Sequence, residues 1–136
     1  MRPSPRSQAR TQLQIAIFAG GAVGALARAG LGRWFPFDGH GWPWGTFGAN
    51  VVGTAALGYF TTRLQERLPP STFRRPLLGT GFCGALTTFS TLQIEVIELA
   101  RHGHIPLAVA YLVGSVSVGL VVMYLVTGLT RRARVR

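Results

Sequence analysis

The sequence predicts an all-α membrane protein with four transmembrane helices. Four apolar segments follow one another along the chain, and each has roughly the 20 residues that cross the hydrocarbon core of a bilayer. Only 13% of the 136 residues are charged and 18 are glycine, a composition typical of closely packed membrane helices. We therefore expect a single four-helix membrane domain over residues 1–136.

The basic residues argue for a membrane and against a nucleic-acid partner. A net charge of +10 would suggest nucleic acid if the charges formed one face of a soluble fold. Here the arginines flank the apolar segments, as they do in membrane proteins. The two tails, residues 1–11 and 130–136, are basic and are predicted to be flexible. Cys83 is the only cysteine, so no disulfide forms within the chain.

The first predicted span covers residues 13–31. Gly20 and Gly24 stand four residues apart, a spacing that lets one membrane helix approach another closely. Arg28 continues the same face near the end of the span, where a charge costs about 3 kcal/mol unless it is paired or reaches the interface. We expect a structural role for Arg28 at the interface or at helix carbonyls, with attraction of an ion as the alternative.

The first and last loops carry aromatic residues and histidines. The tryptophans around the first loop are predicted to lie at headgroup level; they are Trp34, Trp42 and Trp44. His40 stands between two glycines of that loop, and His102 and His104 precede the last span. We expect these histidines to be solvated and to form no metal site.

The second predicted span covers residues 44–64 and carries one polar stripe. Thr46, Asn50 and Thr54 follow at four-residue steps, so they share one face of the helix. Asn50 is the most polar side chain of this stripe. We interpret its amide as pore-lining, because similar stripes occur on the later helices, with an interhelical hydrogen bond as the alternative.

The third predicted span, residues 77–100, is expected to break near its middle. Gly79, Gly81 and Gly84 weaken the helix, and the following LTTFSTL can bond back to helix carbonyls. These glycines also spell G-x-G-x-x-G, but a dinucleotide site needs a preceding strand, which is missing here. The sequence contains no pattern of an enzyme active site, and we expect none.

Two further polar tracks lie beyond the predicted break. Thr88, Thr91 and Glu95 share one helical face. An acid inside a membrane span is a functional candidate, but Glu95 could also be solvated or paired with Arg28 or Arg101. In the fourth span, residues 107–129, four-residue steps align Tyr111, Ser115 and Gly119. These neutral donors favour an anion over a cation, and the small size of the subunit favours an oligomer.

The chain resembles the Fluc fluoride channels, also called the CrcB family. The resemblance covers nearly the whole chain and rests on GGAVGALARAG, WGTFGANVVGTAALG and GFCGALTTFSTLQIE in the first three spans. It implies a passive channel that exports cytoplasmic fluoride and relieves fluoride toxicity. It also implies an antiparallel, dual-topology dimer in the bilayer with two fluoride pores. A structural sodium ion would lie at the dimer centre, held by the backbone carbonyls of Gly84 and Thr87.

The resemblance also assigns pore residues. Asn50 is similar to the family's pore amide and Phe89 to the first of its two pore phenylalanines, while Thr88, Thr91 and Glu95 fit the polar face beside them. Tyr111 and Ser115 resemble members of the polar track on the fourth helix. Leu92 stands where the family has its second phenylalanine, and Gly119 where a further hydroxyl is expected. Because leucine lacks an electropositive ring edge, we expect the pore that this chain lines to be weakened or lost.

The distribution of arginine predicts the orientation in the cell inner membrane. Eleven arginines lie in the two tails and the middle loop, against Arg33 and Arg101 on the other side. This asymmetry predicts cytoplasmic amino and carboxyl termini. An antiparallel homodimer needs the same chain in both orientations, so the asymmetry favours one half of a heterodimer.

Two other functions remain open at this point. A proton-coupled small multidrug exporter has a similar size, but it needs a carboxylate in the first span, which has none. A non-transporting membrane assembly subunit would leave the three polar tracks unexplained.

Overall fold

A computed structural model describes residues 5–66 and 73–133, which form helices joined by short non-helical segments and include no β-strand. The helices are α1 (Pro5–Trp34), α2 (Trp44–Glu66), a π-helical segment (Pro76–Cys83), α3 (Gly84–Leu86), α4 (Phe89–Arg101) and α5 (Ile105–Arg132). The predicted all-α class is confirmed. Within the described ranges, Arg6–Trp34 and Ile105–Arg132 are long and apolar enough to cross a membrane.

Helices α1 and α5 continue into the two basic tails that the sequence predicts to be flexible. Residues 5–11 belong to α1, and α5 continues to Arg132, so both helices extend beyond the apolar segments. Arginine, glutamine and alanine are good helix formers, and Pro5 is suited to a first helical position. Residues 1–4 and 134–136 of the tails lie outside the described residues.

Helix α1 packs against the π-helical segment through glycines. A Cβ atom added to Gly20 would meet the carbonyl oxygen of Leu77, and one added to Gly24 would meet that of Phe82. From the other side, a Cβ atom on Gly81 would lie 2.7 Å from the Ile17 carbonyl oxygen. The close approach predicted from the spacing of Gly20 and Gly24 is therefore confirmed.

The helical path is interrupted between α3 and α4. Thr87 (φ −80°, ψ 150°) and Thr88 (φ −149°, ψ 124°) are extended. The side-chain oxygen of Thr88 then accepts a hydrogen bond from the Thr91 amide and caps α4. Wide π-type turns before the interruption suit a glycine-rich segment, and such turns are frequent at functional sites.

Helices α4 and α5 meet in an apolar core closed by the first loop. The buried residues of this core are Leu92, Leu99, Ala108 and Tyr111. Trp42 packs edge-on against Tyr111, with ring centroids 5.3 Å apart. Trp34 and Trp44 are exposed, as expected of interfacial anchors, whereas half-buried Trp42 belongs to this packing. The first loop is therefore fixed to the ends of α4 and α5.

A tight turn shapes the same loop. Gly39 has φ +85°, a conformation that side chains rarely adopt. The His40 amide donates a hydrogen bond of 3.1 Å to the Asp38 carboxylate. That bond lowers the pKa of Asp38 below its ordinary value, because it favours the charged form.

Candidate functional site

Asn50 joins α2 to the interruption between α3 and α4. Its Nδ2 donates to the Thr88 carbonyl oxygen at 3.0 Å, and the Thr88 amide donates to its Oδ1 at 2.7 Å. The side chain thus supplies hydrogen bonds to backbone groups that leave the helical ladder, which a membrane interior requires. The interhelical bond considered for Asn50 is present, and its pore-lining role stays a prediction.

Two backbone carbonyls at the interruption lose their ordinary helical donors. In a continuous α-helix the Thr88 amide would bond to Gly84 and the Thr91 amide to Thr87. Here the Thr88 amide bonds to Asn50 and the Thr91 amide bonds to the Thr88 hydroxyl. The carbonyl oxygens of Gly84 and Thr87 are therefore available to another partner.

Glu95 is held by hydroxyl groups from two other helices. The Thr46 hydroxyl donates to one carboxylate oxygen and the Tyr111 hydroxyl to the other, each at 2.6 Å. Only 7% of Glu95 is exposed. The contacts of Glu95 with these two hydroxyls and its burial differ from the solvated and arginine-paired alternatives, and no ion pair to Arg28 or Arg101 is found among the described residues. Glu95 fixes α2 and α5 to α4.

A small hydroxyl network begins at Thr88. Its Oγ1 donates to Thr91 Oγ1 at 3.0 Å and lies 3.3 Å from Ser90 Oγ. Thr88 is buried, with 8% of its surface exposed. Thr88 and Thr91 therefore lie together, with Thr88 at the N-cap of α4 and not on its helical face, and both face the cavity described next.

Three cavities follow one another along the subunit. The first has a volume of about 330 Å³, and its polar lining consists of Arg28, Thr46, Thr88, Thr91 and Glu95. The second is a groove of about 260 Å³, whose polar lining consists of Asn50, Thr54, Thr87, Thr88 and Ser115. The third, of about 270 Å³, is lined by Thr61, Arg75 and Thr80 among apolar residues. Thr88 is common to the first two cavities, and Leu57 to the last two.

The groove offers donors and no carboxylate. Ser115 Oγ is buried and forms no hydrogen bond of ordinary geometry among the described residues, although the Tyr111 hydroxyl one turn earlier is close enough to interact with it. Phe89 forms part of the wall and is 62% exposed. A buried hydroxyl without an ordinary hydrogen bond is unusual, and it can donate to a polar or anionic ligand in the groove.

The residues predicted to form one polar track on α5 lie in two different places, the apolar core and the groove. Tyr111 is fully buried with its hydroxyl on Glu95, whereas Ser115 lines the groove. A Cβ atom on Gly119 would meet no atom within 4 Å, so this position is open. Leu92 is buried at 3% exposure and contributes to both the core and the wall of the groove.

The third cavity was not predicted from the sequence. Thr61 stands seven residues after Thr54, two helical turns along the same face of α2, and could have extended the predicted stripe. Arg75 and Thr80 carried no such signal, because Arg75 directly precedes the π-helical segment and Thr80 lies within it, where α-helical spacing does not apply.

A profile of the family described as "CrcB-like protein, Camphor Resistance (CrcB)" matches residues 15–128. The chain belongs to the CrcB-like family. The matched region of this CrcB-like chain includes α2, the interruption and α4 in full. All three described cavities have their polar linings within it.

Curated CrcB-like relatives are similar over most of their length. A Mycobacterium bovis protein named "Fluoride-specific ion channel FluC 1" is 60% identical over 121 residues, which cover 89% of this chain and 92% of the relative. A Streptomyces coelicolor protein of the same name is 37% identical over 129 residues, covering 93% and 84%. A Chloroflexus aurantiacus protein named "Fluoride-specific ion channel FluC" is 40% identical over 118 residues, covering 86% and 94%.

Proposed function

We propose that this CrcB-like chain is a fluoride-selective passive ion channel that exports cytoplasmic fluoride and relieves fluoride toxicity. The single observation that carries the proposal is the groove with the Ser115 hydroxyl, which forms no ordinary hydrogen bond, beside Phe89. The relatives named as fluoride-specific channels support the same ion. The names of these relatives describe an ion channel and not an enzyme.

The lining of the cavities suits a small anion. Hydroxyl hydrogens, amide hydrogens and the electropositive edge of Phe89 can replace part of a hydration shell without a buried counter-charge. Arg28 and Arg75 lie in the two outer cavities, where positive charge raises the local concentration of an anion. Glu95 has both oxygens occupied by hydroxyl donors, so we assign it to positioning Thr46 and Tyr111.

A path for the ion follows from the order of the cavities. Thr91 and Thr88 offer hydroxyls in the first cavity, and Asn50, Thr87 and Ser115 line the groove that follows. Passage needs no proton transfer and no energy input, because each of these groups is a neutral donor that can exchange partners. Phe89 would guide the ion with its ring edge at the first turn of α4.

We propose four spans in the cell inner membrane, with both termini cytoplasmic. Helices α1, α2 and α5 would each cross once, and the third crossing would run from the π-helical segment through the interruption to α4. The interruption is acceptable at membrane depth because Asn50 satisfies the amide and carbonyl of Thr88. The arginine asymmetry supports this orientation.

An antiparallel dimer would complete the pathway. Phe89 and Ser90 at the interruption, and Gly84 before it, are exposed in the single chain. Polar and glycine residues at membrane depth are expected to face protein or water and not lipid. A second subunit across this surface would close the open groove and supply the missing wall.

A sodium ion fits the interruption as a structural cofactor. The carbonyl oxygens of Gly84 and Thr87 lack their helical donors, and a hard cation binds such oxygens. Two subunits would provide four carbonyls and no carboxylate. When bound, the ion would neutralise converging carbonyl dipoles and join the subunits. Gly84 is exposed, and a Cβ atom there would approach nothing closer than the Gly79 carbonyl oxygen at 3.9 Å.

Replacement of Ser115 tests the groove. We expect Ser115→Ala to slow fluoride efflux from proteoliposomes about tenfold, because a lost hydrogen bond to a charged partner costs about 1.5 kcal/mol. Efflux is followed with a fluoride electrode without a proton gradient. Ser117→Ala is the matched control, because Ser117 is an exposed serine on the same helix. Equal efflux from the two variants would count against the groove.

Heterodimer formation is a second candidate role, favoured by Leu92 and by the arginine asymmetry. This chain would then be the pore-impaired partner of a homologous subunit that supplies a phenylalanine. We expect Leu92→Phe to raise fluoride efflux about fivefold, because an aromatic contact contributes about 1 kcal/mol. A wild-type chain that conducts as fast as Leu92→Phe, with both orientations found in the membrane, would contradict this role.

The small multidrug exporter has lost its support. The names of the relatives point to fluoride. Drug uptake that requires a pH gradient would be the contrary result, and the same proteoliposomes can be used to measure it.

A further inference from the structure

Two histidines from different loops meet at one end of the molecule. His40 lies in the loop between α1 and α2, and His104 directly precedes α5. His40 Nδ1 and His104 Nε2 are 3.3 Å apart, although the residues are 64 positions apart in the chain. The expectation that these histidines are simply solvated is therefore incomplete.

We propose that His40 and His104 form a binding site for a divalent transition-metal ion such as zinc. Imidazole nitrogen is a preferred ligand of zinc, copper and nickel. Zinc binds imidazole at about 2.0–2.1 Å, so two nitrogens at a tetrahedral angle lie about 3.4 Å apart. The observed separation of 3.3 Å matches this geometry before any metal is added.

Both ligands are presented by fixed backbone. The His104 amide donates to the Leu99 carbonyl oxygen at 2.9 Å, and its own carbonyl accepts from the Ala108 amide at 2.9 Å. The His40 amide is held by the Asp38 carboxylate at 3.1 Å. Binding would therefore order little backbone, which favours affinity.

His102 forms a wall of the site without being a third ligand. Its Nδ1 lies 2.8 Å from the Glu98 carbonyl oxygen. Its ring packs over Gly39, where an added Cβ atom would approach His102 Cε1 to 2.8 Å. Within residues 5–66 and 73–133, no three His, Cys, Asp or Glu side chains are arranged to hold a metal. Two histidines would bind the ion, and water would complete its coordination.

The protons of the two imidazole rings can be accounted for when the metal binds. Metal binding needs a lone pair on Nδ1 of His40 and on Nε2 of His104. From two neutral rings there is no net release, because the proton shared between the rings moves to the outer nitrogen of the ring that carried it. A ring that is charged before binding releases one proton.

The metal would fasten the first loop to the start of α5. Phe37, three residues before His40, lines the first cavity and packs against the apolar core. A bound ion would therefore stabilise the loop that borders this cavity. The site uses none of the residues assigned to the ion path, so it does not depend on the proposed channel function.

Calorimetric titration of tag-free protein in lipid nanodiscs with zinc tests the proposal. We expect one zinc ion per chain, and binding at least about tenfold weaker for His40→Ala and for His104→Ala. His102→Gln is the matched control and should keep binding close to that of the wild type. Magnesium, which prefers oxygen ligands, should not bind at these histidines.

Thermal unfolding separates binding from folding defects. All three variants should unfold close to the wild-type temperature in metal-free buffer, because His40 and His102 are exposed and His104 is only partly buried. Zinc should raise the unfolding temperature of the wild type and His102→Gln only, since a ligand stabilises the state that binds it. Equal zinc binding by the wild type and the His40→Ala, His104→Ala double variant would overturn the proposal. So would loss of binding in His102→Gln.

Discussion

Replacement of Asn50 by aspartate is expected to slow fluoride efflux about 100-fold. The carboxylate would keep an acceptor for the Thr88 amide but would turn a second acceptor toward the Thr88 carbonyl, which now receives a bond from Nδ2. It would also place a negative charge in the groove. Two like charges about 5 Å apart at an effective dielectric constant of about 20 repel by about 3 kcal/mol, which slows passage about 100-fold.

Thr54→Val is the control for Asn50→Asp. Thr54 lines the same groove one turn along α2, and valine keeps its shape without touching the interruption. We expect Thr54→Val to retain measurable efflux and the wild-type unfolding temperature. Fluoride-electrode recordings on proteoliposomes with matched protein content give the comparison. Wild-type efflux from Asn50→Asp would refute the pathway through the groove.

The second large effect is expected at the contact between α1 and the π-helical segment. Gly20→Ala would place a methyl group against the Leu77 carbonyl oxygen, and this oxygen belongs to backbone that cannot rotate away. Overpacking of this kind costs about 3 kcal/mol. We therefore expect only a small fraction of the Gly20→Ala protein to be folded in detergent. Thermal unfolding and size-exclusion chromatography measure this folded fraction.

Gly21→Ala provides the matched control on the same helix. A Cβ atom at Gly21 would meet nothing within 4 Å. Alanine also favours a helix over glycine by about 1 kcal/mol, so Gly21→Ala should be as stable as the wild type or more stable. Similar losses in both variants would show that the backbone contact is not the cause.

Much of the fold could be predicted because membrane helices have a regular period. The four-residue step of Gly20 and Gly24 identified a close helix contact. Thr88 also contacts Thr91, but as the extended N-cap of α4 and not as part of its helical face. The four-residue step also placed Asn50 and Thr46 on one face of α2. These two side chains nevertheless bind different partners, because Thr46 donates to Glu95 on α4 and Asn50 donates to the Thr88 carbonyl at the interruption.

The remaining features depend on contacts between distant parts of the chain. Nothing in the sequence indicates that Glu95 receives hydroxyls from Thr46 and Tyr111, because each lies on another helix. The approach of His40 to His104 is set by how two loops fold over the core. Local spacing carries information about one helix, whereas these contacts depend on how helices and loops pack together.

Fluoride efflux from proteoliposomes is the most direct test of the proposed function. The vesicles would be loaded with fluoride and chloride, contain no proton gradient and carry either the wild-type chain or Leu92→Phe. We predict fluoride release above that of protein-free vesicles, faster for Leu92→Phe, with chloride retained. If neither folded protein releases fluoride, or if chloride leaves equally fast, the fluoride-channel account is contradicted.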